Sequence, residues 1–140
     1  TSASLSTPSI SNGMFSEALL DDLSPWVAAA NVDVKSFNPR AYARLGGSLD
    51  AVRRTVEGLY KAGSHVEVTT LVVPGISDSE AELIAMTEWL AGISPDIPLH
   101  LSRYFPAHTF TTPATDIQLL RRLADLAGEK LRHVHLGNIR

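Results

Sequence analysis

The sequence predicts an α/β protein, a partial parallel (β/α) barrel of about four strands. Three observations carry that expectation. Short runs rich in β-branched residues alternate with longer stretches whose apolar residues recur at helical spacing, the order that builds right-handed βαβ units. Capping residues, prolines and glycines fall at the joints between them. The 140 residues, 44% of them hydrophobic, suffice for one buried core. A closed barrel of this type has eight strands. Half a barrel exposes sheet edges and inner side chains, so further strands, supplied by an upstream barrel half or by another copy of the chain, are expected to cover them.

The first eleven residues, rich in Ser and Thr, read as a loose leader or a cut end, and residues 12–140 as the barrel section. Phe15, Leu19, Leu20 and Leu23 then recur at helical spacing, between a Ser16 N-cap and a stop at Pro25. Asn31-Val32-Asp33-Val34-Lys35 reads as a buried strand with polar residues at its exit. Asn38 followed by Pro39 opens a short helix through Tyr42 and Leu45, and Gly46 and Gly47 end it. A second helix starts near Ser48. Its stripe is Leu49, Val52, Val56, Leu59 and Tyr60, and Gly63 stands where a C-cap glycine belongs.

The run from His65 to Val73 is the strongest strand, and Pro74 and Gly75 terminate it. Ser77 and Glu80 have the spacing of a capping box, for a helix that buries Leu83, Ile84, Met86, Thr87 and Leu90. Pro95 and Pro98 bracket a loop before a strand over Leu99–Ser102. Thr115 and Gln118 form a second capping box, for a helix through Leu119, Leu123 and Leu126 with Gly128 near its end. A last strand over Arg132–Leu136 leads to Gly137 and Asn138.

Composition excludes several classes of function. A net charge of -3 and a pI near 5.9 provide no broad basic field, so nucleic acid is not an expected partner. No apolar run approaches the roughly 20 residues that span a bilayer, and Thr1–Pro8 lacks the basic-then-apolar pattern of a signal peptide, so a cytoplasmic location without membrane association is expected. Cysteine is absent. That excludes, within these residues, disulfides, thiolate zinc sites, a cysteine nucleophile and cysteine-ligated iron-sulfur clusters.

In parallel barrels the strands deliver their carboxyl ends to one rim, where reactive groups gather. The rim candidates are Ser11-Asn12-Gly13, Asp33 and Lys35, Thr69 and Thr70, Ser102 to Pro106, and Gly137-Asn138. Asp33 and Lys35 stand two apart and share a strand face; they are either a solvated ion pair or partners for the two charges of an amino acid. Asn12-Gly13 serves as a turn or as a loop that admits a ligand to the backbone. Thr69 and Thr70 are strand residues by composition. Arg103 beside Tyr104 and Phe105 either stacks at the surface or meets a carboxylate or a flat ring. His65, His100, His133 and His135 lack the companion ligands of a metal site, and none is expected.

Taken in order, Ser11-Asn12-Gly13, Asn31–Lys35, the run Val66–Gly75 with Ser77–Glu80, Ser102-Arg103-Tyr104-Phe105-Pro106 and His135–Asn138 resemble the later half of radical S-adenosylmethionine (SAM) activating enzymes. The branch they are most similar to is that of the AmmeMemoRadiSam system radical SAM enzymes, relatives of pyruvate formate-lyase activating enzymes. The resemblance implies a CxxxCxxC loop upstream that holds a 4Fe-4S cluster, and SAM bound through its amino and carboxylate groups to the open iron. It matches Asp33 and Lys35 to a D-x-K strand at the amino-acid end of SAM, and Ser11 and Asn12 to a T-N-G loop near it. Thr69 stands where the pyruvate formate-lyase activators carry arginine, Phe105 where they carry histidine, and Ile10 where many carry aspartate. The SAM-contacting set expected in this chain is thus Asp33, Lys35, Ser11, Asn12, Thr69 and Arg103, with no catalytic or metal-binding residue.

The reading that follows is the carboxy-terminal part of a radical SAM enzyme, inactive by itself, whose intact form cleaves SAM to a 5′-deoxyadenosyl radical and takes hydrogen from a protein or small-molecule substrate. Two other classes stay open. One is a non-catalytic interaction module or degenerate half-barrel. The other is a barrel lyase with Lys35 as a Schiff-base nucleophile, which Asp33 disfavours by stabilising the ammonium form.

Overall fold

The computed structural model describes residues 29–106 and 112–139. In chain order these form β1 (Ala29–Asp33), α1 (Pro39–Arg44), α2 (Leu49–Lys61), β2 (His65–Val72), α3 (Glu80–Ile93), β3 (Leu99–Arg103), α4 (Ile117–Gly128) and β4 (Val134–Gly137). The strands make one sheet in the order β1-β2-β3-β4, and every neighbouring pair is parallel. The expected leader, the helix through Phe15 and Leu23, and the Ser11-Asn12-Gly13 loop lie outside the described residues.

The period of two along β2 divides the sheet into two unlike faces. Val66, Val68, Thr70 and Val72 are buried, while His65, Glu67, Thr69 and Leu71 point the other way. Register extends the division across the sheet: Val32, Val68, Leu99 and Val134 stand side by side in one row. Against the apolar face pack Val52, Val56 and Leu59 of α2, Leu83, Met86 and Leu90 of α3, and Leu120, Leu123 and Ala127 of α4. Burying each such large side chain contributes about 1.5–3 kcal/mol. The opposite face has no helix on it among the described residues, and Leu71 there is 46% exposed.

Local chemistry explains the helix starts. Asn38 Oδ1 accepts hydrogen bonds from the Arg40 and Ala41 amides at 2.9 and 3.1 Å, and Pro39 occupies the first turn, where its missing N–H costs nothing. Ser48 caps α2, and Gly63, with φ +93°, follows its end in the left-handed conformation. On the outer surface Trp89 Nε1 donates to Glu57 at 2.7 Å and Arg53 lies over the Phe37 and Trp89 rings, tying α3 to α2. Arg122 of α4 pairs with Glu80 of α3.

Several boundaries depart from the sequence reading. Both expected capping boxes are displaced: Ser79 caps α3 and Asp116 caps α4. Ser77 and Thr115 have been taken by other bonds, described below. β1 runs two residues earlier than expected and ends at Asp33, which leaves Lys35 just beyond it. The last strand begins at Val134 rather than Arg132. Ile84 and Tyr60 are 38% and 40% exposed, because the stripes that face the sheet pass one position away from them. In α4 the fully buried residues are Leu120, Leu123 and Ala127, with Leu119 and Leu126 on the flanks. No helix among the described residues is long and apolar enough to cross a membrane.

The two-faced sheet makes unequal demands on its leucines. Leu101→Ala, on the helix side, should cost about 2–5 kcal/mol, whereas Leu71→Ala, on the open side, should cost less than about 1 kcal/mol. Urea denaturation of both variants checks this, and equal losses would mean that the open face is packed.

Candidate functional site

Parallel register brings the carboxyl ends of β1, β2 and β3 to one edge, where they surround a cavity of about 440 Å³. Asp33, Lys35, Thr69 and Ser102 supply its polar groups, and Leu45, Leu71, Val73 and Ile76 its apolar wall. Three of these, Leu45, Leu71 and Ile76, are among the exposed large hydrophobic residues of the chain, so the apolar surface of the rim is concentrated here.

Each wall is fixed by side-chain bonds to backbone. Tyr42, buried in α1, accepts from the Lys35 amide at 3.3 Å and lies 3.5 Å from the Asp33 carbonyl, so its hydroxyl holds the turn between the two charged residues. Ser77 donates to the Leu71 carbonyl at 2.6 Å and accepts from the Val73 amide at 2.8 Å. Asp78 accepts from the Gly75 amide at 3.0 Å, and Gly75 takes φ +81° after Pro74. The folded-back loop thereby places Val73 and Ile76 at the cavity. Thr69 Oγ1 donates to Asn31 Oδ1 at 2.8 Å, bridging β2 to β1 on the open face. Gly137 makes room for Ser102: a Cβ there would lie 3.1 Å from Ser102 Oγ.

Asp33 and Lys35 both line the cavity without a direct ion pair between them. Partial burial raises the Asp33 carboxyl above its ordinary range, and the nearby Lys35 charge offsets part of that rise.

The remaining expected residues go elsewhere. Thr70 is buried on the helix face, with Oγ1 on Met86 Sδ at 3.6 Å, so the two adjacent threonines do not share a site. Arg103 is not part of the cavity lining. Its Nε donates to the Thr115 carbonyl at 2.7 Å and its guanidinium lies 4.7 Å from the Phe105 ring centroid, not over Tyr104. Thr115, fully buried, donates to the Val72 carbonyl at 2.5 Å and accepts from the Tyr104 amide at 3.0 Å. Thr115 therefore ties Arg103 and Tyr104, at the end of β3, to the end of β2. Asn138, at φ +57°, donates to the Arg103 carbonyl. Ser11 and Asn12 lie outside the described residues. Sequence reasoning missed Tyr42, Asn31 and Ser77 as parts of the site, since nothing in their spacing distinguishes a core tyrosine, a strand asparagine or a loop serine. The described residues contain no group of three or more side chains suited to a metal.

The fold alone defines a class: a partial (β/α) barrel whose similar solved structures include a radical SAM protein. A domain of pyruvate-formate lyase-activating enzyme from Bacteroides vulgatus matches with a TM-score of 0.79 and 12% identity, over 93% of this chain and 80% of that one. A radical SAM methyltransferase from Sphaerobacter thermophilus matches with a TM-score of 0.67 and 18% identity, over 91% of this chain and 39% of that one. In sequence, the chain is 33% identical over 134 residues to the uncharacterized protein MJ0808 of Methanocaldococcus jannaschii. The match covers 93% of this chain and 39% of that relative, so the chain spans about two fifths of its length. No family model matches the chain.

The raised Asp33 carboxyl has a signed consequence. An acid whose pKa rises on folding binds its proton more tightly in the folded state, so it erodes stability as pH climbs from the ordinary 3.8 through the raised value. Asp33→Asn should be more stable than the parent near neutrality, and the difference should vanish below that window. Urea midpoints from about pH 3 to about pH 7 measure it; a gap that stays constant over that range would place the effect outside the Asp33 charge.

Proposed function

We propose that this chain is the carboxy-terminal part of a radical SAM enzyme, and that its rim cavity receives the amino-acid end of SAM. The observation that supports this most is the joint placement of Asp33, Lys35 and Thr69 around one cavity at the carboxyl ends of parallel strands, in a fold shared with radical SAM domains.

The chain's residues fit one of the two groups this reading requires. With no cysteine, they offer a 4Fe-4S cluster no thiolate, so the cluster belongs to an upstream barrel half that also supplies the missing strands. SAM fits. The Lys35 ammonium suits its carboxylate and the Asp33 carboxylate suits its amino group, while Thr69 and Ser102 offer hydroxyls and the Leu45, Leu71, Val73 and Ile76 wall suits a flat ring. Ser11 and Asn12 are assigned to the same end of the ligand. Arg103 is assigned a positioning role, since Thr115 and Phe105 already engage it. In the intact enzyme bound SAM, given one electron by the cluster, would supply a 5′-deoxyadenosyl radical for hydrogen abstraction, with methionine released. The contribution of this chain is to bind and orient SAM and to shield one side of it from water.

Expressed alone, the chain should show no iron-sulfur absorbance after anaerobic reconstitution. Joined to the cluster-bearing portion of its barrel it should release 5′-deoxyadenosine from SAM, and Asp33→Ala or Lys35→Ala should each weaken SAM binding by roughly tenfold or more, the scale of one charge-assisted bond. Parent-like binding and cleavage by both variants would remove Asp33 and Lys35 from the site.

A further inference from the structure

The open face of the sheet carries a second polar group, outside the cavity. Register places Asp33 beside Thr69, Thr69 beside His100 and His100 beside His135, in one row across all the strands. Glu67 stands two residues before Thr69 on the same face of β2. Its carboxylate is engaged on both oxygens: His100 Nε2 lies 2.5 Å from Oε1 and His65 Nε2 lies 3.0 Å from Oε2. The His100 ring stacks on that of His135, with centroids 4.9 Å apart and planes inclined by 27°.

This pattern differs from the inner surface of an ordinary parallel barrel, which is packed with branched apolar side chains. The group is partly solvated in this structure, with the Glu67 side chain 34% and that of His65 63% exposed, so its order comes from its mutual bonds rather than from enclosure. Glu67 is bonded, and those bonds hold its carboxyl below the usual range. An ionised carboxylate only accepts, so His100 must donate through Nε2–H. Neutral His100 is thereby fixed as one tautomer, with the lone pair on Nδ1, which has no hydrogen-bond partner among the described residues. Its side chain is 32% exposed, so the ring is reachable from the open face.

We propose that His100 is the proton-exchanging residue of this face, oriented by Glu67 and backed by His135, for a ligand bearing an O–H or N–H group beside the Asp33–Thr69 cavity. The proposal rests on reading the open face as a barrel lumen. The ligand's proton passes to Nδ1 while its oxygen or nitrogen keeps the electron pair, and the imidazolium so formed keeps its Nε2–H on Glu67. No oxidant or second reactant is needed. His65 shares the carboxylate, and Asp33 and His135 are the other titratable groups in the row.

The full 140-residue chain suffices for the test. Nitrogen NMR of the imidazoles at about pH 8 should find His100 as the Nε2–H tautomer by roughly tenfold, the preference that a charge-assisted bond confers. Glu67→Leu should lower that ratio severalfold, and Glu67→Gln, whose amide oxygen still accepts, should preserve it. Diethyl pyrocarbonate, a small electrophile for unprotonated imidazole nitrogen, should acylate His100 at Nδ1 in the parent and at both nitrogens in Glu67→Leu, with exposed His133 unchanged. A His100 found as the Nδ1–H tautomer, indifferent to Glu67→Leu, or unreactive at Nδ1 would overturn the assignment. Neither measurement involves SAM or a cluster, so failure here leaves the SAM reading standing, and failure of the SAM reading leaves these results interpretable.

Discussion

A shift of β2 by one residue would exchange the two faces of the sheet. Every other feature depends on that alternation, because Val66, Val68, Thr70 and Val72 must meet the helices for Glu67, Thr69 and Leu71 to meet anything else. The central position of β2 spreads the constraint to both sides. It pairs with β1 and β3, and its register sets the level at which Asp33, Thr69 and Ser102 arrive at the rim. The hydrophobic effect thus positions polar residues it does not itself touch. The helices supply the stability, and among the described residues the opposite face is left without a packing layer.

What converts a strand end into a defined wall is a small set of side chains bonded to backbone. Tyr42, Ser77 and Thr115 each reach across from a different connection to a strand end, at Asp33–Lys35, Leu71–Val73 and Val72 respectively. Bonds of this kind satisfy backbone polar groups at the strand ends without a helix or ladder. Arg103 belongs to the same group in its effect, since it ties the chain after β3 to Thr115.

Among the described residues, the order of strands and helices, the parallel sheet and the open face were legible in the sequence, because period-two and period-3.6 patterns survive without knowledge of tertiary contacts. Asp33, Lys35 and Thr69 were legible as rim residues for the same reason. The capping boxes were not, since Ser77 and Thr115 have the right spacing yet find stronger partners in backbone carbonyls of β2. Thr70 and Thr69 look alike in sequence, and only their opposite directions separate a core residue from a cavity residue. The fate of Arg103 depended on a neighbour twelve positions away, and the His100–Glu67 bond joins strands 33 residues apart, so no local pattern announces either. 

Gly137 closes the row that contains Leu71 and Ser102, and the missing side chain there sets a clearance rather than a contact. A methyl group at that position would crowd Ser102 Oγ at 3.1 Å and move the hydroxyl by a few tenths of an ångström. Ser102 lines the cavity and Gly137 does not. Position 137 therefore works as an adjusting screw, able to alter the calibre of the cavity from the far side of its wall while leaving every cavity-lining residue type unchanged.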